Sequence, residues 1–335
     1  MEAFLSLTWE LRASDGEFFH KELNGFVPDR IFDAHAHLYH SYHWGRSHPT
    51  KRGPEIVGLE TYHSQMEWLI PNRQIHGLFF GVAFHEGYAE ANDFVSREVA
   101  KDAASRGELL APPYLDAEEM RQLAKQLGFQ GLKVYHSFLQ PKPTLNADVR
   151  DFLIEDHVRV AHEEGWVVTL HMVRDRALAD PRNQQQIQYY CRRYPGMKLI
   201  LAHAARGFNP FHTIEGIQAL KGLRNVWCDT SAVTEAGGFE AIIETLGHDR
   251  LLWGSDYPIS HLRGRCVAIG DQFLWLYEDS LDWAAVGVRI PIEPLFVGHE
   301  SLRALKLAAY RQHLTDVQIE DIFDRNARAM LEIEN

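Results

Sequence analysis

The sequence predicts a closed parallel α/β barrel, a (β/α)8 TIM barrel, and three observations carry that prediction. Apolar, strand-like runs recur near residues 30–35, 76–84, 109–115, 130–136, 166–171, 198–203, 224–229 and 250–255. Amphipathic stretches such as 91–106, 118–127, 149–164 and 184–194 fall between them. Strand alternating with helix eight times closes a parallel sheet into a ring. A chain of 335 residues suits one such domain over 1–335, with insertions, better than two independent domains.

In chain order, the runs close on residues able to bind a metal. The first is Arg30-Ile31-Phe32-Asp33-Ala34-His35-Ala36-His37. Side chains alternate along a strand, so His35 and His37 point to one side and can grip one ion together. In a chain with 19 histidines, an H-x-H on a solvated strand is the plainer reading until further ligands appear. The fourth run, Gln130 to His136, places Lys133 mid-strand and ends in His136. The fifth ends in His171, the sixth in His203 and the eighth, Arg250-Leu251-Leu252-Trp253-Gly254-Ser255-Asp256, in Asp256. Aliphatic runs ending in a polar residue read as buried parallel strands whose C-terminal ends carry function.

Two segments exceed a minimal barrel. Residues 38–58, after the first strand, are rich in His, aromatic, Gly and basic residues, including Tyr39, His43 and Trp44. Residues 257–299, after the eighth, carry Trp275, Trp283 and the stretch Ile290-Pro291-Ile292-Glu293-Pro294. Both leave from the catalytic end, so they are expected to cap the pocket and help choose the substrate; the second serves equally well as an oligomer contact. Residues 1–29 form an N-terminal extension without the basic segment and apolar core of a secretory signal.

Composition narrows the class. Hydrophobic residues make up 45% of the chain and no stretch reaches the roughly 20 apolar residues of a membrane span. A net charge of -12 disfavours nucleic acid and anionic membranes as partners. Cys191, Cys228 and Cys266 are too few and too far apart for a disulfide framework or a cysteine metal site, which points to a cytoplasmic protein.

The H-x-H of the first strand, the single histidines ending the fifth and sixth, and Gly254-Ser255-Asp256-Tyr257-Pro258 together resemble the amidohydrolase superfamily. Asn225-Val226-Trp227-Cys228-Asp229-Thr230-Ser231 and Ile322-Phe323-Asp324-Arg325-Asn326-Ala327-Arg328 are similar to its amidohydrolase-2 branch of metal-dependent barrel hydrolases and decarboxylases. The resemblance implies a divalent metal on His35, His37, His171 and Asp256, with His203 as a further ligand or a group that polarises substrate. Imidazoles and a carboxylate suit zinc, and also manganese or iron. Such an ion lowers the pKa of bound water from about 15.7 toward about 7, and Asp256 can carry the proton to the leaving group.

Lys133 decides the metal count. Carboxylated, as in dihydroorotase-like members, it would bridge two ions, with His171 and His203 on the second; unmodified, it would pair with a carboxylate or hold an anionic substrate. The branch resemblance favours one ion. Arg206 and Arg174, each three residues past a candidate ligand, can clamp a carboxylate, and His136 and Trp44 can contact a ring; the alternative for each is an ordinary loop residue. The expectation is therefore a metal-dependent hydrolase of a lactone, amide or similar C–O or C–N bond in a small, carboxylated or cyclic molecule. The alternatives are a non-oxidative decarboxylase on the same metal site and a non-catalytic metal- or ligand-binding barrel. Self-association into a homo-oligomer is common among barrels of this type.

Overall fold

The structure, a computed structural model, describes residues 8–47, 53–82, 87–280, 282, 285, 287, 289 and 292–333. Strands β1 (Arg30–His37), β2 (Gln74–Phe80) and β3 (Arg106–Gly107) form a 3-stranded parallel sheet. Strands β4 (Leu109–Leu110), β5 (Gly131–Tyr135), β6 (Val167–His171), β7 (Lys198–Leu201), β8 (Val226–Asp229) and β9 (Leu251–Leu252) form a 6-stranded parallel sheet in that order. β3 and β4 are one chain segment interrupted at Glu108, so the two sheets meet there and together supply the eight expected strand positions.

The ladder is not continuous round the ring. At the seam between first and last strands, Ala34 N donates to Trp253 O (2.9 Å), Asp256 N to His35 O (2.8 Å) and His37 N to Tyr257 O (3.1 Å). Asp33 reinforces this seam from inside. Its Oδ1 accepts from His35 N (3.0 Å) and Ser255 N (2.9 Å), and its Oδ2 from Tyr62 OH (2.6 Å). Burial pushes the Asp33 carboxyl up to about 6, against the donors from Ser255, Tyr62 and His35.

β1 also carries a bulge. Its register with β2 shifts between Asp33 and Ala36. Before the shift Phe32 and Ala34 join Leu78, Val167, Ile200 and Leu252, drawn from strands all round the ring, in an interior cluster plugged by Ala327, Met330 and Leu331 of the C-terminal helix. After it, Ala36 belongs to the outer layer against the helices. The extra residue therefore flips the facing of the strand, so that His35 and His37 turn inward.

Some boundaries differ from the sequence expectation. The third strand begins at Arg106 rather than 109, because Arg106-Gly107-Glu108 has no apolar run to reveal it; Pro112 and Pro113, which lack N–H donors, follow where the run was expected to continue. The helix expected over 91–106 is Tyr88–Val99, and that over 149–164 is two, Val149–Phe152 and Glu155–Glu164. Between these two, the Leu153 carbonyl is taken by Tyr190 OH (2.8 Å). The stretches at 118–127 and 184–194 form helices Ala117–Gln126 and Pro181–Arg193. The sixth strand stops at Leu201, short of His203.

After β1, Tyr39–His40 pairs antiparallel with Ile56–Val57, and Ser41–Ser47 makes a 3-10 turn; residues 48–52 of this insertion lie outside the described residues. After the eighth strand, β10 (Gly264–Ile269) and β11 (Gln272–Tyr277) form an antiparallel hairpin. Trp283, Ile290 and Pro291 lie outside the described residues. The N-terminal extension is bound to this insertion. Arg263 Nη1 donates to buried Asp15 Oδ1 (2.9 Å), Arg263 Nη2 to Glu10 O (2.9 Å), and Arg12 reaches both oxygens of Glu278 (2.8 and 3.0 Å). The three cysteines are free and buried, and no helix of the described residues is long and apolar enough to cross a membrane.

Arg263→Met leaves the Asp15 carboxylate buried without its partner; urea unfolding is expected to show a loss of about 3 kcal/mol, and an unchanged midpoint would show the pair to be idle. Nearby, burial holds His261 and His299 down to about 4. The unfolded chain takes these protons at about 6.5, so stability is full above that pH and falls between pH 6.5 and 4. A pH series of thermal melts is expected to show that decline, with a shallower slope in His299→Gln.

Candidate metal centre

His35, His37 and Asp256 come together at the C-terminal mouth of the ring, all buried. The Nε2 atoms of His35 and His37 each lie 3.4 Å from Asp256 Oδ1. The opposite ring nitrogens are held from behind: His35 Nδ1 donates to Asp229 Oδ2 (2.8 Å) and His37 Nδ1 to Gly81 O (3.2 Å). With the protons assigned to Nδ1 by these acceptors, both Nε2 lone pairs face the shared space, the tautomer a metal requires. Burial pushes both histidines below the usual imidazole range. For Asp256 burial works upward, but the His37, His203 and His35 side chains that face it outweigh burial and hold the carboxyl below its ordinary value. Neutral imidazoles beside an ionised carboxylate form a donor set that fits a divalent cation.

A second group, His35, His203 and Asp229, is closed by hydrogen bonds. Asp229 Oδ1 accepts from His203 N (2.8 Å), Ser231 N (3.1 Å) and the Ser231 hydroxyl, while Oδ2 takes the His35 proton. His203 Nδ1 donates to Ser231 O (3.0 Å), which leaves its Nε2 toward His171 Nδ1 at 3.1 Å. His171 stands outside both three-residue groups. Within the described residues, then, the expected ligands His35, His37 and Asp256 converge, His203 sits 4.0 Å from Asp256 Oδ2, and His171 reaches the centre through His203.

His203 owes its position to an unusual turn. Residues His203, Ala204, Ala205 and Arg206 all have positive φ, between 51 and 60°. A left-handed run of non-glycine residues costs of order 1 kcal/mol each and persists only where its surroundings enforce it. Here Asp229 takes the His203 amide, and Thr213 Oγ1 donates to Ala204 O (2.7 Å). Asp256 also has positive φ, 55°.

Lys133 is fully buried, with Nζ 3.3 Å from His35 Nε2 and 4.1 and 5.1 Å from the ring centroids of Phe80 and Tyr135. Burial drives its ammonium down to about 8, while the charges of Glu108, Asp229 and Asp256 oppose that shift. Glu108, at the break between β3 and β4, is itself raised to about 8 by burial and accepts from Thr169 Oγ1 (2.9 Å).

The expected substrate residues part company. Arg174 spends its guanidinium on Asp180 (2.7 Å), Asp148 (2.9 Å) and Asn146 O (2.9 Å), so it braces loops. Arg206 donates to Arg174 O (3.0 Å) and lies 5.5 Å from the Phe273 ring, with no ion pair to a carboxylate among the described residues. His136, held by Thr144 Oγ1 (2.7 Å), is lowered to about 4 by burial and by the charges of Arg206 and Lys142. Trp44 is buried, its ring 6.3 Å from that of His37 and 5.5 Å from that of Tyr39. Sequence reasoning left Asp229, Ser231, Asp33, Tyr62 and Glu108 without roles. The Asp229-Thr230-Ser231 end of the seventh strand carried the available signal; Glu108 carried none.

The amidohydrolase family profile matches residues 32–333. The chain belongs to the amidohydrolase-2 family. Among curated proteins, this family member is 32% identical over 175 residues to the L-fucono-1,5-lactonase of Burkholderia ambifaria, a match covering 47% of this chain and 55% of that one, so it spans about half the relative's length. An amidohydrolase from Burkholderia multivorans superposes with a TM-score of 0.58 at 14% identity over 91% of this chain and 99% of its own; another crystal form of it holds zinc. A dihydroxybenzoic acid decarboxylase from a Polaromonas species, crystallised with manganese, gives 0.56 at 14% identity over 92% and 98%. These structures share the barrel fold.

Asp229→Asn removes the acceptor that fixes the His35 tautomer. Zinc affinity, measured by competition with a chromogenic chelator, is expected to fall about 10- to 100-fold; unchanged affinity would mean that Asp229 does not orient His35 for a metal.

Proposed function

We propose that the protein is a metal-dependent hydrolase that opens a small cyclic ester, a lactone carrying a carboxylate. The observation that carries this reading is the convergence of two imidazole Nε2 atoms on one carboxylate oxygen, each 3.4 Å away, in a chain similar to a lactonase. His35, His37 and Asp256 would hold one divalent ion, with zinc the favoured species and manganese or iron also compatible with the donors. That ion would supply Lewis acidity at the scissile carbonyl and acidify an attacking water.

The remaining work falls to the chain. Water forms a bond to the carbonyl carbon as the ring C–O bond breaks, and the proton released must reach the leaving oxygen. Asp256, kept ionised by its histidine neighbours, takes that proton on Oδ2, the oxygen turned away from the two Nε2 atoms, and returns it to the leaving oxygen. His203, fixed by Ser231 and Asp229 and bonded to His171, lines the substrate side of the site. Arg206, which makes no close ion pair with a carboxylate among the described residues, binds the substrate's carboxylate.

Lys133 remains an amine in this reading, which supports one ion rather than two. Its Nζ faces the π-surfaces of Phe80 and Tyr135, and Glu108, Asp229 and Asp256 stand close enough to oppose its loss of charge. A carbamate at that position would set an anion against aromatic faces and carboxylates.

Two measurements test the proposal. Chelation is expected to abolish acid release from a lactone panel followed by pH-stat, and zinc to restore it; activity that survives verified metal removal would sink the mechanism. Asp256→Asn is expected to lower kcat at least about 100-fold. Release of carbon dioxide from an aromatic acid, with no lactone opened, would replace the hydrolase reading with the decarboxylase one.

A further inference from the structure

Lys133 stands under the metal centre with a claim on one of its ligands. Its Nζ lies 3.3 Å from His35 Nε2, while the proton of that ring sits on Nδ1 and is donated to Asp229 Oδ2 at 2.8 Å. Nε2 is therefore the acceptor and Lys133 the donor. An unprotonated imidazole nitrogen has a single lone pair, lying in the plane of the ring. The lone pair that accepts from Lys133 is the one His35 would offer to a divalent ion beside His37 and Asp256. Amine and ion compete for it.

A buried amine that gives up one acceptor needs another close by. Lys133 has no exposed surface, so bulk water does not supply one. Phe80 and Tyr135 offer it only their rings. Asp229 is fully engaged, with one oxygen on His35 and the other on His203 N, Ser231 N and the Ser231 hydroxyl. Asp256 is itself a candidate ligand. Glu108 differs from both. Its Oε1 accepts from Thr169 Oγ1 (2.9 Å), whereas its Oε2 is buried and has no hydrogen-bond partner among the described residues.

The strand register brings Glu108 to the lysine. Lys133 on β5 is paired with Thr169 on β6 and, on its other side, with Leu110 on β4, two residues after Glu108. Paired residues of neighbouring parallel strands face the same side, so Lys133 and the Thr169 hydroxyl that fixes Glu108 lie next to each other. Glu108 arrives from beneath, over Gly131, which stands two residues before Lys133 on the same face; a Cβ on Gly131 would meet Glu108 Cγ at 3.1 Å. Of the charges that favour the Lys133 ammonium, that of Glu108 is the strongest. The lysine is thus placed between two acceptors, His35 toward the mouth and Glu108 toward the interior.

We infer that Lys133 is a latch with two positions, resting on His35 Nε2 as it stands and moving to Glu108 Oε2 when a divalent ion takes that lone pair. Glu108 is then a positioning residue that sets how tightly the ion is held without touching it. The inference rests on the ligand set of the preceding section. Its energetic basis is an exchange of one buried hydrogen bond for another: with Glu108 present the displaced donor finds a charged acceptor, and without it the donor is left unpaired.

Zinc affinity of the full chain, measured by competition with a chromogenic chelator, tests the latch in four proteins. Lys133→Met removes the competitor and is expected to bind zinc about tenfold more tightly than the wild type; Glu108→Gln weakens the receiving acceptor and is expected to bind it about tenfold more weakly. The double variant separates a latch from simple charge. With no lysine to receive, Glu108→Gln is expected to change nothing in the Lys133→Met background, whereas an equal weakening in both backgrounds overturns the inference. A crystal structure of the zinc-loaded wild type makes the same test without a substitution, should a variant fail to fold. Nζ is expected within hydrogen-bond distance of Glu108 Oε2; Nζ still against His35 Nε2, or carboxylated, overturns the inference. Zinc on His35, His37 and Asp256 with Lys133 unmoved loses the latch and keeps the site, while a moving lysine in a chain that opens no lactone loses only the hydrolase reading.

Discussion

The arrangement at the mouth of the barrel depends on how one buried carboxylate, Asp229, divides its two oxygens. Oδ2 takes the proton of His35 Nδ1 and so presents the opposite lone pair to Asp256. Oδ1 takes the backbone amide of His203, which anchors the left-handed turn carrying both His203 and Arg206. A single group at the end of the seventh strand thus sets a tautomer on the first strand and a strained backbone after the sixth. Without it, the His35 imidazole loses its orientation and the run of four non-glycine residues at positive φ loses the anchor at its first amide.

Charge balance supports the same arrangement. The barrel interior holds Glu108, Lys133, Asp229 and Asp256 among buried histidines. Burial alone would neutralise most of them. The directions differ instead: Asp256 is held ionised, the histidines neutral, and Lys133 is drawn down to about 8 against three surrounding carboxylates.

The elements added to the barrel act as a frame around this centre. The N-terminal extension grips the base of the hairpin through Asp15, Glu10 and Arg12, and the loop after the sixth strand grips its tip through Asn209 and His212. The two anchors fix the aromatic face of the hairpin, which packs on Phe208 beside His203.

Read alone, the sequence determined the ring of eight strands, because buried parallel strands must be apolar runs and each run announces itself. It also determined that His35, His37, His203 and Asp256 lie at one end of that ring, since the C-terminal ends of parallel strands share one face. It did not reveal where the third strand begins, since Arg106-Gly107 and the buried Glu108 look like a loop, nor the bulge that turns His35 and His37 inward, since a one-residue register shift leaves no compositional trace. The partners of each group were decided only by tertiary structure. Arg174 and Arg206 occupy equivalent positions in the sequence, each three residues past a histidine, but folding brings acids to the first and an aromatic ring to the second. Asp229 likewise reads as one more strand-end residue until the fold places His35, from the opposite end of the chain, 2.8 Å from its oxygen. Hydrogen bonding and desolvation act over a few ångströms of space, and contacts between residues 194 positions apart are set by the closure of the barrel rather than by any local pattern.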